Sequence, residues 1–156
     1  MNKFFLPALL IGFFLFYGCK KNNASPSTTN SQWTIFGKTY TADTTFFNND
    51  DFEMRIEAYD SANNAAFVSF RTKPVTNRKY IVINAGSITT ALDLDSNQCV
   101  INAIIPGNSY YSVGEGSSVS VTLSGTKLNV SFSNVKVKNG LNGSDSTTFS
   151  GNLHEQ

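Results

Sequence analysis

Histidine and cysteine, which serve many metal centres and active sites, are almost missing from this sequence. It contains one histidine, His154, and two cysteines, Cys19 and Cys99. This set falls short of the four ligands of a structural zinc site. His154 also lies near the C-terminal end, where chains are often frayed. A Ser-His-Asp catalytic triad needs a histidine held in place, so we expect none here.

The sequence also lacks an excess of charge of either sign. Twelve basic side chains are balanced by eleven acidic ones. A nucleic-acid surface needs clustered positive side chains that neutralise phosphates. Because no basic stripe is present, we expect no nucleic-acid partner.

A long apolar run of the kind that spans a bilayer is missing as well. The longest apolar segment covers residues 4–16 and follows Lys3. A spanning helix needs about 20 apolar residues. A positive start, a short apolar core and the small residue Gly18 before Cys19 are typical of a cleaved secretory signal. We therefore predict a signal peptide over residues 1–18.

The end of this segment, Gly18-Cys19 followed by Lys20-Lys21, resembles the signal of bacterial lipoproteins, and its aromatic-rich core resembles those of the Bacteroidota. The resemblance implies cleavage before Cys19 and lipidation of that cysteine with palmitate-type chains. Two or three acyl chains hold a protein stably on a membrane. The resemblance also implies the outer membrane. Since no acidic residue follows Cys19 directly, it favours the periplasmic face over the cell surface.

Residues 20–31 contain only Lys, Asn, Ser, Thr, Ala and Pro. Such a segment buries too little apolar area to offset the entropy lost on ordering. We predict that residues 19–31 form a lipidated, flexible linker. Residues 32–156 are long enough to bury a core as a single domain.

Apolar and polar residues alternate along this domain, which is the period of half-buried strands. The clearest example is a hairpin with strands at 119–123 and 128–132, joined at Ser124-Gly125-Thr126-Lys127. The pattern predicts an all-β fold of eight to ten strands. Periodicity leaves open an antiparallel β-sandwich and a small, partly open barrel.

Two segments resemble small Bacteroidota lipoproteins of uncharacterised domain families. One is Ile35-Phe36-Gly37-Lys38-Thr39-Tyr40, and the other is Phe149-Ser150-Gly151-Asn152-Leu153 after the long hairpin. The resemblance implies an all-β domain on a lipid tether and assigns no function.

Cys99 lies in the apolar run Gln98-Cys99-Val100-Ile101. A reactive thiol needs exposure and nearby positive charge, and this segment supplies neither. We expect a small buried hydrophobic side chain. With Cys19 lipidated, Cys99 has no partner for a disulfide.

Paired carboxylates could serve glycoside hydrolysis. The candidate pairs are Asp50 with Asp51 and Glu53 with Glu57. Glu53 and Glu57 alternate with apolar residues, which indicates the solvated side of a strand. We therefore predict no catalytic residue, and keep an enzyme as the alternative.

Asp93, Asp95 and Asn97 have the spacing that begins a calcium loop. Gln98 and Ile104 stand where an EF-hand needs glycine and glutamate. We predict a polar turn here, and no metal or cofactor. The oxygen-rich Asn48-Asn49-Asp50-Asp51 segment is likewise predicted to be a loop.

Many aromatic residues lie near predicted loops: Phe46, Phe47, Phe52, Tyr59, Tyr110 and Tyr111. Exposed aromatic side chains on a β scaffold serve as sugar- or peptide-binding platforms. These residues are candidates for a surface that binds a glycan or protein ligand.

Three Asp-Ser/Thr pairs resemble the O-glycosylation acceptor of the Bacteroidota. They place candidate glycans on Thr44, Ser61 and Ser146, all in predicted loops. The sequence thus predicts an anchored, non-catalytic β domain that binds or scaffolds. A small carbohydrate-active enzyme and a lipocalin-like carrier are the alternatives.

Overall fold

The computed structural model describes residues 30–50, 52–140 and 143–156. The predicted signal peptide, Cys19 and all but the last two residues of the linker lie outside the described residues. No helix in the described ranges is long and apolar enough to cross a membrane.

Eleven strands and two short 3₁₀ turns make up the described chain. The strands are β1 Gln32–Ile35, β2 Lys38–Thr41, β3 Thr44–Asp50, β4 Glu53–Tyr59, β5 Ala65–Phe70, β6 Arg78–Val82, β7 Gln98–Ile105, β8 Asn108–Ser112, β9 Ser118–Ser124, β10 Lys127–Asn139 and β11 Ser146–His154. The 3₁₀ turns, Ala85–Ser87 and Ala91–Asp93, lie between β6 and β7.

All eleven strands belong to one mixed sheet. Its order is β2-β1-β11-β10-β9-β6-β7-β5-β4-β3, and β8 pairs with both β10 and β7. β8 therefore closes part of the sheet into a ring. Every pairing is antiparallel except the short one between β6 and β7. The all-β fold class is confirmed, in a form consistent with a sandwich or an open barrel.

The sheet curls so that its far ends approach each other. Gln156, just after β11, donates its backbone N–H to the carbonyl oxygen of Thr45 in β3 at 3.0 Å. Side chains that alternate inward fill the enclosed space, and the largest fully buried ones are Trp33, Phe70 and Phe149. Burial of apolar side chains, to which these large rings contribute, supplies the main favourable free energy of folding.

The predicted hairpin is present, as Leu128, Val130 and Phe132 of β10 face inward and pair with β9. A second tight turn joins β1 and β2. Phe36 and Gly37 have φ values of 53° and 71°, the two positive angles of a type I′ turn between β1 and β2.

Three segments differ from a simple strand-and-loop interpretation. Asn48, Asn49 and Asp50, predicted to be a loop, lie in β3. Amide and carboxylate residues are poor strand formers, but β3 is an edge strand and pairs with β4 along this whole stretch. The polar turn predicted to begin at Asp93 is preceded by the 3₁₀ turn Ala91–Asp93. Strand β8 raises the strand number above the predicted range because its short, polar sequence has no clear alternation.

Cys99 is fully buried in β7, as predicted. Burial raises the pKa of its thiol to about 12. The thiolate that reacts with oxidants and metals is thus disfavoured.

Candidate functional site

One cross-strand row brings aromatic and polar side chains together on the outer side of the sheet. Phe46, Glu57, Phe67, Asn102 and Tyr111 are direct neighbours on β3, β4, β5, β7 and β8. Strand spacing makes this row about 19 Å long. We call this outer side of the five strands, together with Arg55 and Tyr59, the aromatic face.

Glu57 is the centre of the aromatic face. Its Oε1 accepts hydrogen bonds from Asn48 Nδ2 and Arg55 Nε, both at 2.9 Å, and its Oε2 accepts one from Tyr59 Oη at 2.5 Å. Only 3% of Glu57 is exposed. Both carboxylate oxygens are therefore occupied by donors from β3 and β4.

Two opposing effects set the pKa of Glu57. Burial is the largest single effect and favours the neutral acid, but the hydrogen bonds from Tyr59, Arg55 and Asn48, with the charge of Arg55, together outweigh it. The pKa of Glu57 is therefore lowered and the side chain is a carboxylate. Burial, followed by the hydrogen bond to this carboxylate, raises the pKa of Tyr59 to about 12.

Arg55 joins the charged centre to the rings. Its Nη2 lies 2.9 Å from Glu53 Oε2, and its guanidinium lies 4.6 Å from the centre of the Phe67 ring. Tyr59 stacks on Phe46 at 6.1 Å between ring centres and meets Phe67 edge-on at 5.7 Å. These contacts bury the Phe67 ring but leave Phe46 44% exposed.

A cavity of about 230 Å³ opens on the same face, between Arg55 and the segment that carries the 3₁₀ turns. Asn84 and Asp93 hold that segment by accepting backbone N–H donors within it. Val100 and Ala91 give the cavity buried apolar walls. Asn102 also lines it, and its Oδ1 atom is buried with no hydrogen-bond partner among the described residues. An unpaired buried acceptor costs about 1–3 kcal/mol.

The structure divides the predicted aromatic residues into two groups. Phe46, Tyr59 and Tyr111 lie on the aromatic face, and Phe52 lines the cavity. Their sequence neighbours Phe47 and Tyr110 point the other way, where they pack on or in the core. The alternation of strands therefore separates each adjacent pair, and Phe46 and Phe47 belong to a strand rather than a loop.

The prediction that Glu57 lies on a solvated strand side is wrong. Glu53 is exposed, but Glu57 is covered by neighbours on both adjacent strands. Arg55 and Tyr59 lie two positions before and after Glu57. In a strand this spacing places all three side chains on one face, so the sequence indicates that they are neighbours. The contribution of Asn48 depends on the pairing of β3 with β4, which the sequence does not display. Asp51 of the other candidate pair lies outside the described residues.

Asp93 is engaged in local structure rather than in a loop open to calcium. Its Oδ2 accepts N–H donors from Thr89 and Thr90 at 2.7 and 2.9 Å. In the part of the chain that the structure describes, no three His, Cys, Asp or Glu residues are grouped to hold a metal ion.

All three candidate glycosylation residues are exposed. Ser61 lies in the turn between β4 and β5, as predicted, and the Asp60 carboxylate braces that turn. Thr44 and Ser146 instead begin β3 and β11, so they lie at strand ends rather than in loops. Their modification stays a prediction.

A second outer surface has a different chemistry. Ser120, Ser131, Asn152 and Gln32 form a cross-strand row on β9, β10, β11 and β1. We call this surface the hydroxyl face. Its groove has a volume of about 540 Å³ and no charged residue among those that line it.

No protein-family model, no curated protein and no solved structure matches the chain. A function can therefore be inferred only from the arrangement of the residues.

Proposed function

We propose that this chain is a lipid-anchored outer-membrane protein whose β domain binds a ligand on the aromatic face without catalysing a reaction. The observation that carries the proposal is the row from Phe46 to Tyr111. The partly exposed rings of Phe46 and Tyr111 lie at its two ends, and the occupied carboxylate of Glu57 and the buried ring of Phe67 lie between them. A surface ordered before binding loses less entropy when a ligand arrives.

The state of Glu57 supports binding over catalysis. A general acid works best with a pKa near the operating pH, and a nucleophile needs a free oxygen. Glu57 has a lowered pKa and a donor on each oxygen. Arg55 also binds Glu53, so one guanidinium is paired with both members of the candidate pair.

The packed interior supports an external binding surface over a carrier with a hollow barrel. A lipocalin-like carrier needs an apolar cavity inside the sheet. Trp33, Phe70 and Phe149 fill inward positions and are fully buried. The anchor is proposed from Cys19 and the polar linker, with the periplasmic side of the outer membrane as the location.

The anchor is tested by the intact mass of the protein purified from the membrane of the cells that make it, beside a Cys19→Ala variant. We expect loss of residues 1–18 and added acyl chains in the wild type, and no acyl chains in the variant. Further regular mass steps would indicate glycans at Thr44, Ser61 or Ser146. An unlipidated wild type would overturn the proposed location.

The binding face is tested by hydroxyl-radical footprinting of the protein in its native envelope and after purification. We expect Phe46, Phe52 and Tyr111 to be oxidised less in the envelope than when purified. Phe36, which is 54% exposed on another surface, serves as the internal control. Equal oxidation of the aromatic face in both samples would contradict the proposal.

A further inference from the structure

We propose that the domain docks on anionic lipid headgroups with the end that carries Arg78, Lys79 and Lys127. This inference rests on the proposed function, because an anchored protein has a membrane beside it, and it adds which end of the domain faces that membrane. Three observations carry it: the place where the predicted linker joins the sheet, the loop that meets this place, and the unpaired cations around the loop.

The predicted linker joins the sheet at a fixed point. Ser31 is fully buried, and its Oγ accepts hydrogen bonds from the backbone N–H of His154 and from Thr45 Oγ1, both at 2.7 Å. Asn30, just before it, is exposed. The linker therefore leaves the domain beside the end of β11. Eleven residues separate Ser31 from Cys19, and a flexible chain of that length spans about 20 Å.

The loop between β5 and β6 meets the same end of the domain. Lys73 Nζ lies 2.6 Å from Glu155 Oε1, and Glu155 directly follows His154. Glu155 Oε2 also accepts the backbone N–H of Leu128, near the start of β10, at 2.9 Å. These bonds join the loop, the end of β11 and the start of β10 beside the linker. Val75, in the same loop, is 79% exposed.

Three cations surround this loop without a partner. Arg78 and Lys79 begin β6, and Lys127 begins β10. All three are exposed, and none forms an ion pair with a described residue. Since β9 lies between β6 and β10, the two strands that carry these cations are about 10 Å apart. We call Arg78, Lys79 and Lys127, together with Val75, the basic end.

The carboxylates near the basic end leave it with a positive charge. Glu155 is paired with Lys73. Asp43 lies between β2 and β3, and Asp95 precedes β7, so both flank the surface of β6, β9 and β10. Each Lys or Arg close to an anionic membrane raises the binding constant about fivefold. This attraction acts within about 8 Å at physiological salt, and the short linker keeps the basic end near that range.

The test attaches the protein to a membrane of known composition. The chain from Cys19 to Gln156, which contains every described residue, is coupled through Cys19 to a maleimide lipid in vesicles. Cys99 is fully buried and does not compete for the maleimide. The vesicles are made of phosphatidylcholine alone or of phosphatidylcholine mixed with phosphatidylglycerol. Lysine acetylation by an N-hydroxysuccinimide ester is then followed by mass spectrometry.

Two pairs of lysines report the orientation. Lys136 and Lys138 lie at the other end of β10, roughly 30 Å from Lys127. We expect phosphatidylglycerol to slow acetylation of Lys79 and Lys127 at least about fivefold and to leave Lys136 and Lys138 unchanged. Salt at about 1 M should remove the difference, because it shortens the range of the attraction to about 3 Å. Unchanged rates at Lys79 and Lys127, or equal slowing of all four lysines, would overturn the inference.

Two double variants of equal charge separate the position of the cations from their number. Lys79→Gln with Lys127→Gln removes two cations from the basic end, and Lys136→Gln with Lys138→Gln removes two from the other end of β10. Oxidation of Val75 by hydroxyl radicals reports docking. We expect phosphatidylglycerol to protect Val75 in the wild type and in the second variant, but not in the first. Loss of protection in both variants would show that net charge decides, and would overturn the inference.

The failure of this inference can be told apart from the failure of the proposed function, because the chemical coupling replaces natural lipidation. If the basic end is not protected on vesicles while Phe46 is protected in the envelope, the orientation is wrong and the proposed function stands. An unlipidated wild type in cells would instead overturn the proposed location, and this inference with it.

Discussion

The two outer surfaces of the sheet are made by the same alternation of strands, yet they differ in how their side chains are held. On the aromatic face, Glu57, Arg55 and Tyr59 bind one another and the rings pack together. On the hydroxyl face, Ser120, Ser131 and Asn152 make no side-chain hydrogen bond to any described residue. The first surface is held by a connected, largely buried network, whereas side-chain hydrogen bonds on the second, such as that between Thr34 Oγ1 and Thr39 Oγ1 at 2.9 Å, are isolated and exposed.

This difference predicts where the molecule is sensitive to substitution. A polar group held in a buried network costs free energy when its partner is removed, whereas a solvated group costs little. The aromatic face should therefore respond strongly to a single polar change, and the hydroxyl face should respond mainly to changes on its inner side.

The largest effect is expected for Glu57→Ala. It leaves Arg55, Tyr59 and Asn48 without their shared acceptor. We expect a loss of about 2–4 kcal/mol in the free energy of unfolding, below the range for fully buried pairs because Arg55 remains partly exposed. Urea denaturation of the full chain measures it. A loss under about 0.5 kcal/mol, which is the usual scale of surface substitutions, would show that Glu57 does not stabilise the aromatic face.

The next largest effect is expected for Gly151→Ala, on the inner side of the strands that carry the hydroxyl face. A Cβ at Gly151 would lie 2.8 Å from Phe132 Cζ, in the packed core. Overpacking of this kind costs about 1–3 kcal/mol. Thermal unfolding checks it, with Asn152→Ala at the exposed neighbouring position as the outward control. An unchanged unfolding temperature would show that the Phe132 ring moves freely.

A smaller effect is expected from acid. Because the pKa of Glu57 is lowered in the folded state, its contribution to stability is present above its unfolded pKa, near 4.5, and is lost as the pH falls through the folded value. Urea unfolding at several pH values should show a shallower acid loss in Glu57→Gln than in the wild type. Parallel pH profiles would indicate that other carboxylates cause the acid loss.

The smallest effect is expected for Ser131→Ala on the hydroxyl face. Ser131 is exposed and makes no side-chain hydrogen bond to a described residue. The free energy of unfolding should change by less than about 0.5 kcal/mol. A loss of unfolding free energy as large as that of Glu57→Ala would show that the two surfaces do not differ in their sensitivity to substitution.

The sequence patterns predicted the structural features that depend on residues close together in the chain. The hairpin of β9 and β10, the Phe36-Gly37 turn and the burial of Cys99 follow from alternation and turn residues. The burial of Glu57 does not, because besides Arg55 and Tyr59 on its own strand it depends on Asn48 of β3 and on the pairing of β4 with β3 and β5. The row that defines the aromatic face joins five strands whose register only the folded sheet displays.

The most direct test is a ¹³C NMR titration of the Glu57 side-chain carboxylate in the full chain carrying Cys19→Ser. As the charged, fully occupied centre of a binding surface, Glu57 should have a pKa below 4.5. A pKa above that value would mean that burial outweighs the hydrogen bonds. Glu57 would then be a candidate general acid, and the enzymatic alternative would replace the binding function proposed here.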